Sequence, residues 1–90
     1  MPGNLTIDPT TGPVGLASVS VTGAGFAKNK LYLVSARGKG GGKEAMTDAH
    51  GAFSVVVAPL QGFEMAGTYP IDAMRDKPRR VEATVMLTIT

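Results

Sequence analysis

The chain has 90 residues, of which 43% are apolar and 18% charged, and its formal net charge is +2. These values describe one foldable domain, since single cores span about 50–200 residues, and they exclude a disordered chain. No cysteine is present, which excludes a disulfide framework and a zinc–thiolate site. The basic excess is too small to predict a nucleic-acid partner by itself.

The first residues of the chain, 1–4, lack the basic and apolar regions of a secretory signal. The longest uninterrupted apolar run, residues 55–59, is far too short for a membrane-spanning helix. We therefore expect a complete single domain, residues 1–90, that is made in the cytoplasm and does not insert into a membrane. The alternative is a domain taken from a longer exported protein.

Apolar and polar residues alternate with a period of two along most of the chain, which predicts strands. No segment shows the sustained spacing of apolar residues that a helix requires. Seven strands are predicted, at residues 5–7, 18–22, 30–35, 44–47, 52–58, 68–75 and 81–90. Short strands separated by turn residues every 8–12 positions or so favour an all-β fold, a seven-stranded antiparallel sandwich.

The third predicted strand differs from the others because it is apolar on both faces. Leu31 and Leu33 alternate there with Tyr32 and Val34, as in a central strand or in one that faces a partner. Just before it, Phe26 is expected to pack into the core.

Three stretches resemble a known family. Residues 5–26, LTIDPTTGPVGLASVSVTGAGF, resemble the opening of bacterial and phage immunoglobulin-like domains of the IPT/TIG and related types. TDAHGAFSVVV, residues 47–57, resembles the hairpin of that family, and AGTYPIDA, residues 66–73, resembles a later strand entry. The resemblance implies an Ig-like β-sandwich, a fold that serves adhesion, spacing, decoration and enzyme accessory roles alike.

The resemblance also implies roles for residues near the sixth predicted strand. Tyr69 would form a tyrosine corner, with its hydroxyl bonded to backbone upstream, and Ile71 would fill the place of a cysteine in disulfide-bonded relatives. Pro70 departs from the pattern. Because proline donates no backbone hydrogen bond, it predicts an edge strand or a bulge at that point.

A glycine-rich basic loop, RGKGGGK, occupies residues 37–43. It is not a nucleotide-binding P-loop, because the spacing is one residue short, Glu44 replaces the hydroxyl that binds magnesium, and a strand follows instead of a helix. Two interpretations remain open. The segment is either a solvated flexible hairpin loop or a basic finger, with Arg37, Lys39 and Lys43, that binds an acidic protein surface, a polyanion or an envelope lipid.

A second group of cations precedes the last predicted strand. Lys77, Arg79 and Arg80 lie around Pro78, and they form either a solvated loop or a second contact. No aromatic residues interleave with these cations, so stacking platforms for nucleic acid are absent and such a partner is not expected.

Catalytic residues are sparse. His50 is the only histidine, and within Asp-Ala-His-Gly it is expected to be a turn residue that tolerates the left-handed region. Asp8 and Asp48 are interpreted as turn formers, and Gly51 is expected to supply a positive φ. Without cysteine, nucleophilic and zinc catalysis lack their usual groups. We therefore expect no enzymatic activity, no cofactor and no metal.

Apolar residues in the predicted loop 60–67 are the other candidate contacts. Phe63 and Met65 either fold back over the end of the sandwich or contact a partner. Tyr32 and Met86, on the polar sides of their strands, are weaker candidates.

These features favour a non-enzymatic virion structural protein, an Ig-like decoration protein that docks on a phage capsid or tail protein. Assembly in the host cytoplasm fits the missing export signal and the missing disulfides. Self-association on a symmetric lattice and binding to a host surface polysaccharide stay open. The alternative is a spacer or adhesion module of a bacterial surface or secreted protein, which would bind carbohydrate.

Overall fold

The computed structural model describes residues 3–37, 42–58, 63–75 and 80–90. Its eight strands are β1 (Asn4–Asp8), β2 (Thr11–Gly12), β3 (Val19–Ala24), β4 (Leu31–Ala36), β5 (Lys43–Met46), β6 (Phe53–Val57), β7 (Gly67–Arg75) and β8 (Arg80–Ile89). All seven predicted strands are confirmed, with ends that differ by at most two residues. The described residues contain no helix.

The strands form two sheets. One has three strands in the order β1-β3-β6, and the other has five in the order β2-β8-β7-β4-β5. All pairs are antiparallel except β2 with β8, which is parallel. The all-β sandwich is therefore confirmed, but with eight strands instead of seven.

The unpredicted strand, β2, results from a change of sheet near the start of the chain. β1 pairs with β3 in the first sheet, whereas Thr11 and Gly12 lie beside Thr88 and Ile89 of β8 in the second. The Asp8–Pro9 peptide bond between them is cis. A two-residue strand in a Gly/Pro-rich stretch has no alternation that a sequence pattern could detect.

Residues from both sheets fill the space between them, as the alternation predicts. In β3 the valines are buried and Ser20 and Thr22 are exposed, and in β6 Phe53 and Val57 face the same interior. Phe26 is buried, and its ring centroid lies 4.9 Å from that of Tyr32 and 5.4 Å from that of Phe53. A second aromatic pair, Phe63 and Tyr69, lies near the beginning of β7.

Pro70 lies within β7, which is an interior strand, so the predicted edge position is wrong. Its carbonyl accepts a 2.9 Å hydrogen bond from the amide of Arg37. In an antiparallel strand the amide N and the carbonyl O of one residue point to the same neighbouring strand. The hydrogen bond that Pro70 cannot donate would therefore run to residue 37, which follows Ala36, the last residue of β4. The irregularity in the β7–β8 pairing lies instead between Ala73 and Met74.

Candidate functional site

Arg37, one of the predicted contacts, is bound within the domain. Its Nε and Nη2 atoms each donate a 2.9 Å hydrogen bond to a different carboxylate oxygen of Asp72. The Thr84 hydroxyl donates a third, of 2.7 Å, to the same carboxylate. The guanidinium holds the pKa of Asp72 below its usual range, against the opposing effect of burial. Arg37 is therefore engaged by a buried partner within the domain.

The two basic clusters are attached to opposite ends of the five-stranded sheet. Arg37 follows Ala36, which lies beside Ile71, whereas Arg80 is opposite Arg75. On β7, Arg75 lies four residues after Ile71, which corresponds to about 13 Å along the strand. Lys43 begins β5 and is exposed. Lys39, Lys77 and Arg79 lie outside the described residues.

Phe63 and Met65 have different environments. Phe63 is completely buried, it forms an isolated bridge with Leu16, and its ring centroid lies 5.2 Å from that of Tyr69. For Phe63 the fold-back alternative is therefore correct, and its side chain is not a surface contact. Met65 is 73% exposed. Its carbonyl accepts a hydrogen bond from the Tyr69 hydroxyl, the upstream backbone bond that was predicted for this tyrosine.

Tyr32 is a core residue, so its interpretation as a weak surface candidate is wrong. Its side chain is inaccessible to solvent. The hydroxyl donates a 2.9 Å hydrogen bond to Oε1 of Glu82 and accepts one of 3.3 Å from the amide of Ala27. Burial raises the pKa of the Tyr32 phenol. At neutral pH the phenol is therefore protonated and donates to the Glu82 carboxylate.

The turn between β5 and β6 is organised by Asp48. Its carboxylate accepts hydrogen bonds of 2.8 and 3.0 Å from the amides of His50 and Ala52, and these bonds lower its pKa. Gly51 has φ +74° as predicted, but His50 does not have positive φ. His50 fits an ordinary turn position because Asp48 and Gly51 supply the special geometry.

The outer side of the five-stranded sheet carries an apolar patch. Because Tyr32 and Val34 point inward, Leu31 and Leu33 point outward, and residues directly opposite each other share a face. Met46 is opposite Leu31, and Met74 lies between Leu33 and Val81. We call these five residues the apolar face: Leu31, Leu33, Met46, Met74 and Val81.

The apolar face is in part exposed and has polar borders. Met46 is 61% exposed and Val81 44%, while the other three side chains are half-buried. Glu44 lies on the same side of β5, opposite Leu33. The next row of side chains is the Arg37–Asp72–Thr84 group. Beyond it, Met86 is half exposed opposite Pro70.

The outer side of the three-stranded sheet is different in chemistry. The side chains that point away from the core there are mainly hydroxyl and other polar groups. Val56, at 52% exposure, is the one large apolar side chain among the described residues of this face. The two outer faces are therefore unequal, and the five-stranded sheet presents the more apolar one.

The double apolar pattern of the third predicted strand allowed a central strand or one that faces a partner, but it did not indicate that Leu31 and Leu33, instead of Tyr32, lie on the outer side. Met46, Met74 and Val81 could not be added from the sequence, because the register between strands decides which of them lie together. Met74 and Val81 are opposite each other just past the irregularity in the β7–β8 pairing.

A cleft of about 560 Å³ opens at the end of the sandwich where β3 ends and β8 begins. We call it the end cleft. It is lined by residues 25–27 on one side and by Arg75, Arg80, Val81 and Glu82 on the other. The Nη1 atom of Arg75 lies 3.8 Å from Oε2 of Glu82. The cleft thus contains two guanidinium groups and one carboxylate.

In the part of the chain that the structure describes, no group of three or more His, Asp or Glu side chains is arranged to hold a metal ion. The same residues include no helix that could cross a membrane. No protein-family model matches the sequence, and no curated protein matches it significantly.

Proposed function

We propose that the chain is a non-enzymatic, Ig-like decoration protein of a phage virion, which docks on a capsid or tail protein through the apolar face. The observation that carries the docking role is the inequality of the two outer faces. Five apolar side chains lie side by side on one sheet, where solvent-facing positions are expected to be polar. Methionine side chains adapt their shape readily to a partner surface.

The strand order supports the Ig-like part of the proposal. In Ig-like sandwiches strands A, B and E share one sheet, while C, F and G share the other. Here β1-β3-β6 correspond to A, B and E, and β8-β7-β4 correspond to G, F and C. The hydrogen bond from Tyr69 to the Met65 carbonyl matches a tyrosine corner.

The size of the apolar face favours a repeated partner over a stable dimer of this chain. It spans four strands spaced about 4.8 Å apart and two side-chain rows, which gives on the order of 200 Å². A stable pairwise interface needs about 800 Å² on each partner. A contact this small is weak for one copy, but many copies on a lattice, with additional contacts, bind with avidity.

The test is co-sedimentation with phage particles prepared from the organism that encodes the chain. We expect the polypeptide to copurify with intact particles. Met46→Asp should weaken rebinding of the purified domain to stripped particles about tenfold, because a charge would be desolvated in an apolar contact. Val56→Asp is the matched control, since Val56 has similar exposure but lies on the other sheet, and it should bind like the wild type.

Two results would contradict different parts of the proposal. Absence of the polypeptide from particles, with recovery in the cell envelope or culture medium, would support the bacterial surface module instead. Presence on particles with equal binding by both variants would leave the virion role in place but remove the apolar face as the docking surface. Circular dichroism of each variant checks that the fold is intact.

A further inference from the structure

The end cleft has a charge arrangement that the fold alone does not explain. Arg75 and Arg80 are directly opposite each other at the last pair of the β7–β8 ladder. Like charges at directly opposite positions of an antiparallel pair are destabilising. Arg75 is also opposite Tyr32, which points into the sandwich, so both guanidinium groups are directed toward the end cleft.

The irregular pairing of β8 brings Glu82 into the same place. Ala73 is opposite Ala83 and Met74 is opposite Val81, so Glu82 is the extra residue of a bulge. Bulges re-aim side chains and occur preferentially next to functional sites. Here the bulge turns the Glu82 carboxylate inward to the Tyr32 hydroxyl.

One carboxylate does not balance the two guanidinium groups. Glu82 accepts from Tyr32 through Oε1 and faces Arg75 at 3.8 Å through Oε2. Within the described ranges, no carboxylate lies at ion-pair distance from Arg80. Among the described residues, the cleft therefore has one positive charge more than negative charges, and Arg80, which is exposed, is the guanidinium without an acidic partner there.

The residues that line the cleft also include apolar ones, which a ligand would contact. Phe26 and Val81 are the larger apolar residues among those that line it. The volume of about 560 Å³ falls in the range of small-molecule sites, roughly 300–1,000 Å³. A monoanion with an apolar group fits this combination, whereas a dianion such as phosphate would place excess negative charge beside Glu82.

We propose that the end cleft binds a carboxylate that carries an apolar group, with Arg80 as its main ligand and Phe26 and Val81 as the apolar walls. The carboxylate belongs either to a free organic acid or to an acidic side chain of a protein partner. The cleft borders the apolar face, with which it shares Val81, but binding of a carboxylate there does not depend on the docking role of that face.

The test is a titration of the ¹⁵N-labelled domain, followed by amide chemical shifts. One arm uses benzoate and the other uses a capped peptide with a single glutamate among alanines. We expect saturable shifts at the amides of Gly25, Ala27 and Glu82. Saturation by benzoate alone identifies a free acid as the ligand, and tighter binding of the peptide identifies a protein side chain.

Three variants separate a specific site from general attraction to a basic domain. Arg80→Gln should weaken binding about tenfold, because a charge-assisted hydrogen bond is lost. Glu82→Gln keeps an acceptor for Tyr32 but removes a like charge, so it should tighten binding severalfold. Lys28→Gln changes the same net charge in the exposed turn before β4 without lining the cleft, and it should have no more than a twofold effect.

Absence of shifts at the cleft amides with both probes would overturn the proposal. Equal weakening by Lys28→Gln and Arg80→Gln would also overturn it, because binding would then follow net charge. Glu82→Gln also serves as a control for misfolding, because a variant that only damaged the fold would not bind more tightly.

Discussion

Arg37 and Asp72 are joined by two parallel hydrogen bonds of 2.9 Å that connect the end of β4 to β7. The Asp72 side chain is 5% exposed, whereas that of Arg37 is 61% exposed. A buried carboxylate must be paired to be tolerated. Arg37, which the sequence places in a glycine-rich basic loop, is therefore the neutralising partner of a buried acid.

Loss of this pair should destabilise the domain. Arg37→Ala leaves the Asp72 carboxylate with Thr84 as its remaining side-chain donor, so the free energy of unfolding should fall. Thr84→Val removes the other donor and should cost about 1 kcal/mol. Urea denaturation measures both changes. Lys43→Ala is the control, because Lys43 is an exposed cation without an ion pair among the described residues. An equal loss in Lys43→Ala would show that net charge, not the pair, is responsible.

The Asp72 pair also predicts a pH dependence. The folded-state pKa of Asp72 is lowered, whereas the unfolded value is about 3.9. The folded state therefore binds fewer protons, and the pair contributes its full stability above about pH 4 and loses it as the pH falls through the lower folded pKa.

Urea denaturation across the acid range measures this effect. In the wild type the free energy of unfolding should decline below about pH 4. Arg37→Ala should flatten the decline, because the folded pKa of Asp72 would rise toward its ordinary value. Asp48, whose pKa is lowered by backbone donors, should keep part of the slope in that variant. A slope that is unchanged by Arg37→Ala would contradict the role of the pair.

Gly51 and Gly15 allow the cost of a positive φ for a residue with a side chain to be distinguished from the cost of a steric conflict. Both have positive φ, but a Cβ on Gly51 would lie 2.0 Å from the Phe26 carbonyl oxygen, whereas a Cβ on Gly15 would meet no atom within 4 Å. Gly15→Ala should cost about 1 kcal/mol from the backbone conformation alone. Gly51→Ala should cost about 2–5 kcal/mol, because steric conflict adds to it. Thermal denaturation compares the two, and equal losses would contradict the close approach to Phe26.

Phe63 and Met65 provide a matched pair from one predicted loop. Phe63→Ala should destabilise the domain by about 3–5 kcal/mol, because it removes a buried ring that contacts Tyr69. Domains of this kind have about 5–15 kcal/mol of total stability, so this variant should be near the limit of folding. Met65→Ala should change the free energy of unfolding by less than about 0.5 kcal/mol. Similar small effects in both variants would show that Phe63 is not a core residue.

The sequence determined the seven longer strands and the inward faces of those with one polar face, such as β3 and β6. Alternation in a chain of this length decides which side chains can be buried, because a strand directs successive residues to opposite faces. Val19 and Val21 in β3, and Phe53 and Val57 in β6, are buried where this alternation places them together on one face. The Asp48–Gly51 turn was also predictable, since the carboxylate acts on amides within four residues of it.

Only the tertiary structure decided which distant residues meet. The pairing of Arg37 with Asp72, 35 positions apart, follows from the β4–β7 register, and a shift of one residue would have separated them. The burial of Phe63 depends on its bridge to Leu16. The strand β2 and the inward turn of Glu82 arise from a change of sheet and a bulge, which have no periodicity in the sequence. The basic glycine loop is visible in the composition of the sequence, but the apolar face and the end cleft come from strand register, which a single sequence does not contain.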